Sequence, residues 1–326
     1  MRRREFVKTI AGSAFAWPLR AHGQQRVPVV GVLAVSSESA LAMRLVALRQ
    51  GLAGEGYKEG QNLTIDCLIA GDHPERLPDL AANLVQRHVD VIVVAGGTNT
   101  ALAAKAASTT IPIVFSIGGD PVKAGLVTSF NRPGGNITGI AQSSELLITK
   151  RLEAANELAS RNSSIGSLLN STNANLQLRV SDLQAAAAAL GRTLSIKYVA
   201  REQQFDSVFA AFVDDRIGAL VVMDGPLFDG NAERLVRLAN NRALPTIYQY
   251  RHFVEIGGLM SYGPDIADGY RQVGLYTGRI LKGEKPANLP VLQPTKFELI
   301  INLKTARMLN VDIPPQLAAR ADEQIE

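Results

Sequence analysis

Cysteine is almost absent from this 326-residue chain. Cys67 alone can form no internal disulfide, and no nearby residues complete a metal site with it, so a disulfide scaffold and a cysteine-based metal centre are excluded. Histidine is nearly as scarce. Nucleophilic catalysis needs a base beside the nucleophile, usually His, and beyond His22 the chain offers only His73, His88 and His252, none in a recognisable motif. His73 and His88 flank the second predicted helix and read as surface residues; His252 follows Tyr250-Arg251. There is no Gly-x-Ser-x-Gly elbow, Walker loop, His-Glu-x-x-His pair or Gly-x-Gly-x-x-Gly fingerprint. The expectation is therefore no enzyme, no catalytic residues and no cofactor. An excess of one charge is also missing. Five basic residues (Arg2, Arg3, Arg4, Lys8, Arg20) and one acid (Glu5) fall in the first 25 positions, leaving the body with 29 of each sign. A neutral body lacks the clustered basic face that nucleic acid requires. What is present is ordinary globular composition, 46% apolar and 20% charged, in a chain long enough for two cored domains.

Residues 1–25 have three zones: a basic start, an apolar and small-residue stretch from Thr9 to Trp17, and a polar run with Pro18, Arg20 and Ala21-His22-Gly23. This is the layout of an export leader, and the apolar stretch is far shorter than the ~20 residues of a membrane span. The alternative is an amphipathic first helix, which Pro18 and the β-type run from Val27 oppose. Arg3-Arg4-Glu5-Phe6-Val7-Lys8 resembles the twin-arginine (Tat) pattern of two arginines, any residue, Phe, a hydrophobe and Lys. The expectation is a leader over 1–23, a mature chain from about Gln24, and a periplasmic protein with no membrane span.

The body alternates strand and helix. Val27 to Val35 is nearly unbroken apolar sequence rich in β-branched residues, as in a strand buried on both faces. Leu41, Leu45, Leu48 and Leu52 then recur at helical spacing up to Gly54 and Gly56. The pattern repeats through Leu63–Ile69, Pro74–Arg87, Val89–Val94, Thr98–Ala107 and Ile111–Ile117. After the Gly134-Gly135 loop a second series runs from Ile137–Ala141 to Pro245–Tyr248. The fold class expected is α/β: two doubly wound parallel-sheet lobes. Gly258–Tyr262, a helix over Ile266–Leu281 and a strand over Phe297–Asn302 come after the second lobe is complete, and returns of the chain between lobes account for them. The division expected is 26–140 plus 262–294 for lobe 1 and 141–261 plus 295–326 for lobe 2, joined by a hinge of several strands that permits closure.

Ligands in such folds sit at the loops beyond the carboxyl ends of the strands. Ser36 and Ser37 follow the first strand. Gly97, Thr98 and Asn99 open a helix whose exposed N–H groups suit a carboxylate, although simple N-capping by Thr98 or Asn99 explains them as well. Asp120 follows the fourth strand; Asn170, Thr172 and Asn173 follow the first strand of the second lobe. Asp224 suits a ligand ammonium, or merely a turn before Gly225-Pro226. Tyr248, Tyr250 and Tyr262 sit at later strand ends, where each ring either covers an apolar ligand group or packs half-buried.

Several long stretches, in order, carry a resemblance: Val29-Val30-Gly31-Val32-Leu33, Ile111-Pro112-Ile113-Val114-Phe115 with Gly119-Asp120-Pro121-Val122, Arg132-Pro133-Gly134-Gly135-Asn136-Ile137-Thr138-Gly139, Phe253 to Gly263, and Gln293 to Asn302. Over residues 27–326 the body resembles ABC transporter substrate-binding proteins of the tryptophan/tyrosine-binding type. The resemblance implies the type I periplasmic binding protein fold and a soluble receptor that binds a small solute, an amino acid or related carboxylate, and docks on an inner-membrane permease driven by a separate ATPase. The leading reading has Thr98 and Asn99 hold the carboxylate and Asp224 or Asp120 meet the ammonium, with Ser37, Asn170, Asn173 and the tyrosines setting the fit. A sensing module of the same fold is the alternative, and an exported hydrolase lacks a nucleophile and base. A repressor of this fold would need a DNA-binding headpiece where the export leader stands.

Overall fold

The computed structural model describes residues 26–36, 38–71, 73–142, 147–160 and 162–326; residues 1–25, where a leader is expected, and Ser37 lie outside the described residues. The apolar run after Val27 becomes β1 (Val29–Ala34), buried from Val30 onward because sheet neighbours satisfy its amides while helices cover both faces. It is followed by α1 (Glu38–Gly54), β2 (Thr64–Ile69), α2 (Leu77–Gln86), β3 (Val91–Ala95), α3 (Gly97–Ala107), β4 (Ile113–Ile117) and β5 (Ile137–Ala141). These strands pair in parallel in the order β2-β1-β3-β4-β5. One face packs against α2 and α3 through Leu84, Ala101 and Phe115; the other packs against α1 through Leu41, Leu48 and Leu52.

The second series gives α4 (Ile148–Leu158), β6 (Ser164–Asn170), α5 (Leu176–Ala189), β7 (Leu194–Val199), α6 (Phe205–Asp214), β8 (Ile217–Val222), α7 (Pro226–Asp229), α8 (Ala232–Asn241), β9 (Thr246–Tyr248), α9 (Arg251–Glu255) and β10 (Met260–Pro264). Then come α10 (Ile266–Leu281), β11 (Phe297–Asn302), α11 (Leu303–Met308), α12 (Pro315–Ala319) and β12 (Glu323–Ile325). The second sheet has the order β12-β11-β10-β9-β8-β6-β7, with β10 and β11 antiparallel and the other pairs parallel. Two doubly wound α/β lobes result. Residues 262–264 continue β10 of the second sheet, so the chain leaves that sheet after Pro264.

Although α10 follows β10, it belongs to the other lobe. Tyr270, Val273, Tyr276 and Ile280 complete the core between the first sheet and α1. The crossing with α1 is made at glycines: a Cβ on Gly274 would stand 2.2 Å from the Leu48 carbonyl oxygen, and one on Gly51 2.0 Å from that of Arg271. Gly274→Ala is therefore expected to lower stability by about 1–3 kcal/mol through overpacking. An unchanged urea midpoint would contradict that packing account. The short α7, α9, α11, α12 and β12 are absent from the sequence reading, since elements of three to six residues are too brief to display a period.

Candidate functional site

Strand order reverses between β1 and β3 in the first sheet and between β6 and β8 in the second. Loops leaving the carboxyl ends of such neighbouring strands diverge and leave a crevice. The two crevices face each other here. Val35 after β1 and Gly96 to Asn99 after β3 line one wall; Asn170, Thr172 and Asn173 after β6 and Asp224 to Leu227 after β8 line the other. Together with Arg44, Arg179, Asp229, Tyr250, Ile266 and Tyr270 they line a cavity of about 90 Å³ that is partly open.

The lobes touch at its rim. Asn99 on α3 donates through Nδ2 to the Thr172 carbonyl (2.9 Å) and accepts the Ala174 N–H at Oδ1 (3.1 Å). Arg44 on α1 donates through Nη2 to Asp229 Oδ2 at 2.6 Å, with side chains only 10% and 8% exposed. A pair so sheltered is screened far less than a surface one. Burial opposes the Arg44 charge, yet Tyr270 and Asp229 hold it firmly protonated. Burial pushes the Asp229 carboxyl up, with Arg44 pulling it back. Asp229 also accepts Gln249 Nε2 at 2.8 Å.

Deeper in the second lobe, Arg179 grips Asp224 in bidentate fashion, Nη1 to Oδ1 at 2.9 Å and Nη2 to Oδ2 at 2.7 Å. Arg151 lies behind them, fully buried, its Nε donating to the Tyr262 carbonyl at 2.8 Å and its Nη1 at 4.0 Å from Asp224 Oδ1. Burial lowers the Arg151 pKa, and Asp224 partly offsets it. Burial likewise raises the Tyr250 and Tyr270 hydroxyls and lowers the His252 imidazole, so all three are neutral near pH 7.

Of the sequence-predicted site residues, the structure brings Gly97, Thr98, Asn99, Asn170, Thr172, Asn173, Asp224 and Tyr250 to one cavity. Ser36 sits just behind it, fully buried, with its Oγ 3.4 Å from Arg44 Nη1. Five expectations need correction. Asp120 does not line the cavity; its Oδ1 accepts the Val122 and Lys123 N–H groups in a turn. Tyr248 is fully buried, stacked on Phe253 with ring centroids 4.7 Å apart. Tyr262 packs against the opposite core of the second lobe. Asn99 bridges the lobes with both ends of its amide, and α3 is capped by Gly96 with no side-chain cap from Thr98 or Asn99. Asp224, expected to await an ammonium, is already held by Arg179.

Sequence reasoning missed Arg44, Arg151, Arg179 and Asp229. A signal existed for the arginines. Arg44 lies between Leu41 and Leu48, Arg151 between Ile148 and Ala155, and Arg179 between Leu176 and Leu183, each three residues after one apolar residue and four before the next. That spacing puts a cation on the apolar stripe of its helix, where only a buried role fits.

The model of the family described as ABC transporter substrate binding protein matches residues 29–325. The chain belongs to this family. A tyrosine-binding protein of Clostridioides difficile (strain R20291) is 29% identical over 266 residues, 80% of this chain and 75% of that protein. Among solved structures, a conserved domain protein from Vibrio cholerae O1 biovar El Tor superposes with a TM-score of 0.84 at 29% identity, covering 92% of this chain and 100% of that one. An ABC domain from Streptococcus pneumoniae in complex with L-Trp gives 0.80 at 26% identity, covering 91% and 99%. In this chain the cavity lies where the switch points of the two sheets meet, with lobe-to-lobe bonds at its edge.

Proposed function

We propose that this substrate-binding protein is the receptor of an importer, holding a small carboxylate solute, an amino acid or a related acid, between its lobes and presenting it to an inner-membrane permease powered by a separate ATPase. The observation that carries this reading is the cavity itself: both lobes wall it, buried guanidinium groups stand at its surface, and Asn99 and Arg44 tie one lobe to the other around it. In this reading Thr98, the first N–H groups of α3 and Arg179 meet the carboxylate, while Tyr250 and Tyr270 cover the apolar part. The relatives named for tyrosine and bound to L-Trp support a solute of amino-acid size. The twin-arginine stretch at Arg3-Arg4 supports export to the periplasm.

The test is thermal shift of the protein against amino acids, aromatic acids and other small carboxylates. A ligand at 100 times its Kd stabilises the folded state by about 2.7 kcal/mol, so a true solute is expected to raise Tm clearly. A panel in which no carboxylate moves Tm would overturn the carboxylate assignment.

A further inference from the structure

Gln142, a buried polar residue of the cavity wall, has no part in the contacts proposed above. It follows β5 directly, and its backbone N–H donates to the Ile117 carbonyl at the end of β4 (2.7 Å). Its side chain is 1% exposed and lines the cavity together with Ser116, Ile266 and Tyr270. One end of the amide is fixed: Nε2 donates to Ser116 Oγ at 2.9 Å. Helix α10 leaves room for it only because residue 269 is glycine, since a Cβ there would stand 2.0 Å from Nε2. The other end, Oε1, is buried and accepts no hydrogen bond among the described residues. A buried amide oxygen without a donor is costly, and in the wall of a binding cavity the incoming molecule can supply that donor.

Topology decides which part of a solute Gln142 meets. The carboxylate contacts at Thr98 and the start of α3 follow β3, whereas Gln142 follows β5, and β4 lies between. Neighbouring strands stand about 4.8 Å apart, so these two strand ends are separated by roughly 9–10 Å. An α-ammonium sits one carbon away from its carboxylate and spans no such gap. We propose that Gln142 selects a solute with a second polar group, an N–H or O–H donor at the end remote from its carboxylate, which Oε1 accepts. Gln142 is then a specificity-determining residue, and Ser116 and Gly269 are positioning residues that hold its amide. The proposal rests on the reading of the cleft as the solute site and narrows its chemistry.

The experiment is calorimetric titration of the protein with amino acids matched in size that differ at the remote donor: tyrosine and phenylalanine, tryptophan and 3-(benzothiophen-3-yl)alanine, glutamine and methionine. In each pair that binds, the donor-bearing member is expected to bind about tenfold or more tighter. Gln142→Met keeps the length, removes the acceptor and is expected to bring that ratio towards one. Gln142→Glu keeps an acceptor oxygen and is expected to retain the preference. Wild-type protein that binds the donor-free member as tightly, or tighter, overturns the proposal and leaves the cleft reading standing, even if Gln142→Met does not fold. A folded Gln142→Met with an unchanged ratio overturns the role of Gln142. Binding by no member of any pair counts against the cleft reading itself, and the proposal falls with it.

Discussion

Asp224→Asn is expected to cost the second lobe about 3–5 kcal/mol, the penalty for removing one partner from a buried ion cluster. The substitution keeps the shape and removes the charge. Arg179, 5% exposed, then loses its bidentate acceptor, and Arg151, 0% exposed, loses the carboxylate 4.0 Å away. Both buried cations lose the carboxylate they share, and they also repel each other. Urea unfolding followed by circular dichroism measures the effect. A midpoint equal to wild type would mean that the cluster is hydrated rather than buried.

Arg44→Ala is expected to act on closure instead. Arg44 and Asp229 come from opposite lobes, so in the proposed receptor their 2.6 Å contact would exist only while the cleft is shut. Truncating one side of a buried charged hydrogen bond costs roughly 2–5 kcal/mol, much of it from the charge left unpaired. The closed state bears that loss, since in an open one water reaches Asp229. Affinity for the solute should therefore fall by ~30-fold to several thousand-fold, and small-angle scattering of the variant with solute should give a larger radius of gyration than wild type. Wild-type affinity together with a wild-type radius would rule out the ion pair as a latch.

The alternation of apolar strand and amphipathic helix was legible from the first residues of the body, since buried parallel strands leave long β-branched runs and their helices carry a regular stripe. Loops at the ends of β3, β6 and β8 were legible as site walls for the same reason: in doubly wound sheets they have nowhere else to lie. The three arginines were not, because an Arg in a helix usually faces water, and only its place on the apolar stripe betrays Arg151 among Ile148, Leu152 and Ala155. Tyrosine at a strand end is ambiguous for another reason. Tyr248 ends β9 and turns into the core, while Tyr250, two residues on at the start of α9, reaches the cavity after the strand's alternation has ended. Asp120 and Asp224 look alike in sequence, each beside a Gly-Pro or Pro turn, and differ only in what the other strands bring near. Asn99 bridges to a loop more than seventy residues away, a contact no local spacing encodes.

The most direct test of the solute-receptor account is titration calorimetry of protein stripped of bound solute by unfolding and refolding, using the compound that raises Tm most. The account predicts one solute per chain, a negative heat-capacity change from burial on closure, and loss of most of the affinity in Arg44→Ala. Several equivalents per chain, or one-to-one binding that Arg44→Ala leaves untouched, would contradict it by locating the solute outside the closed cleft.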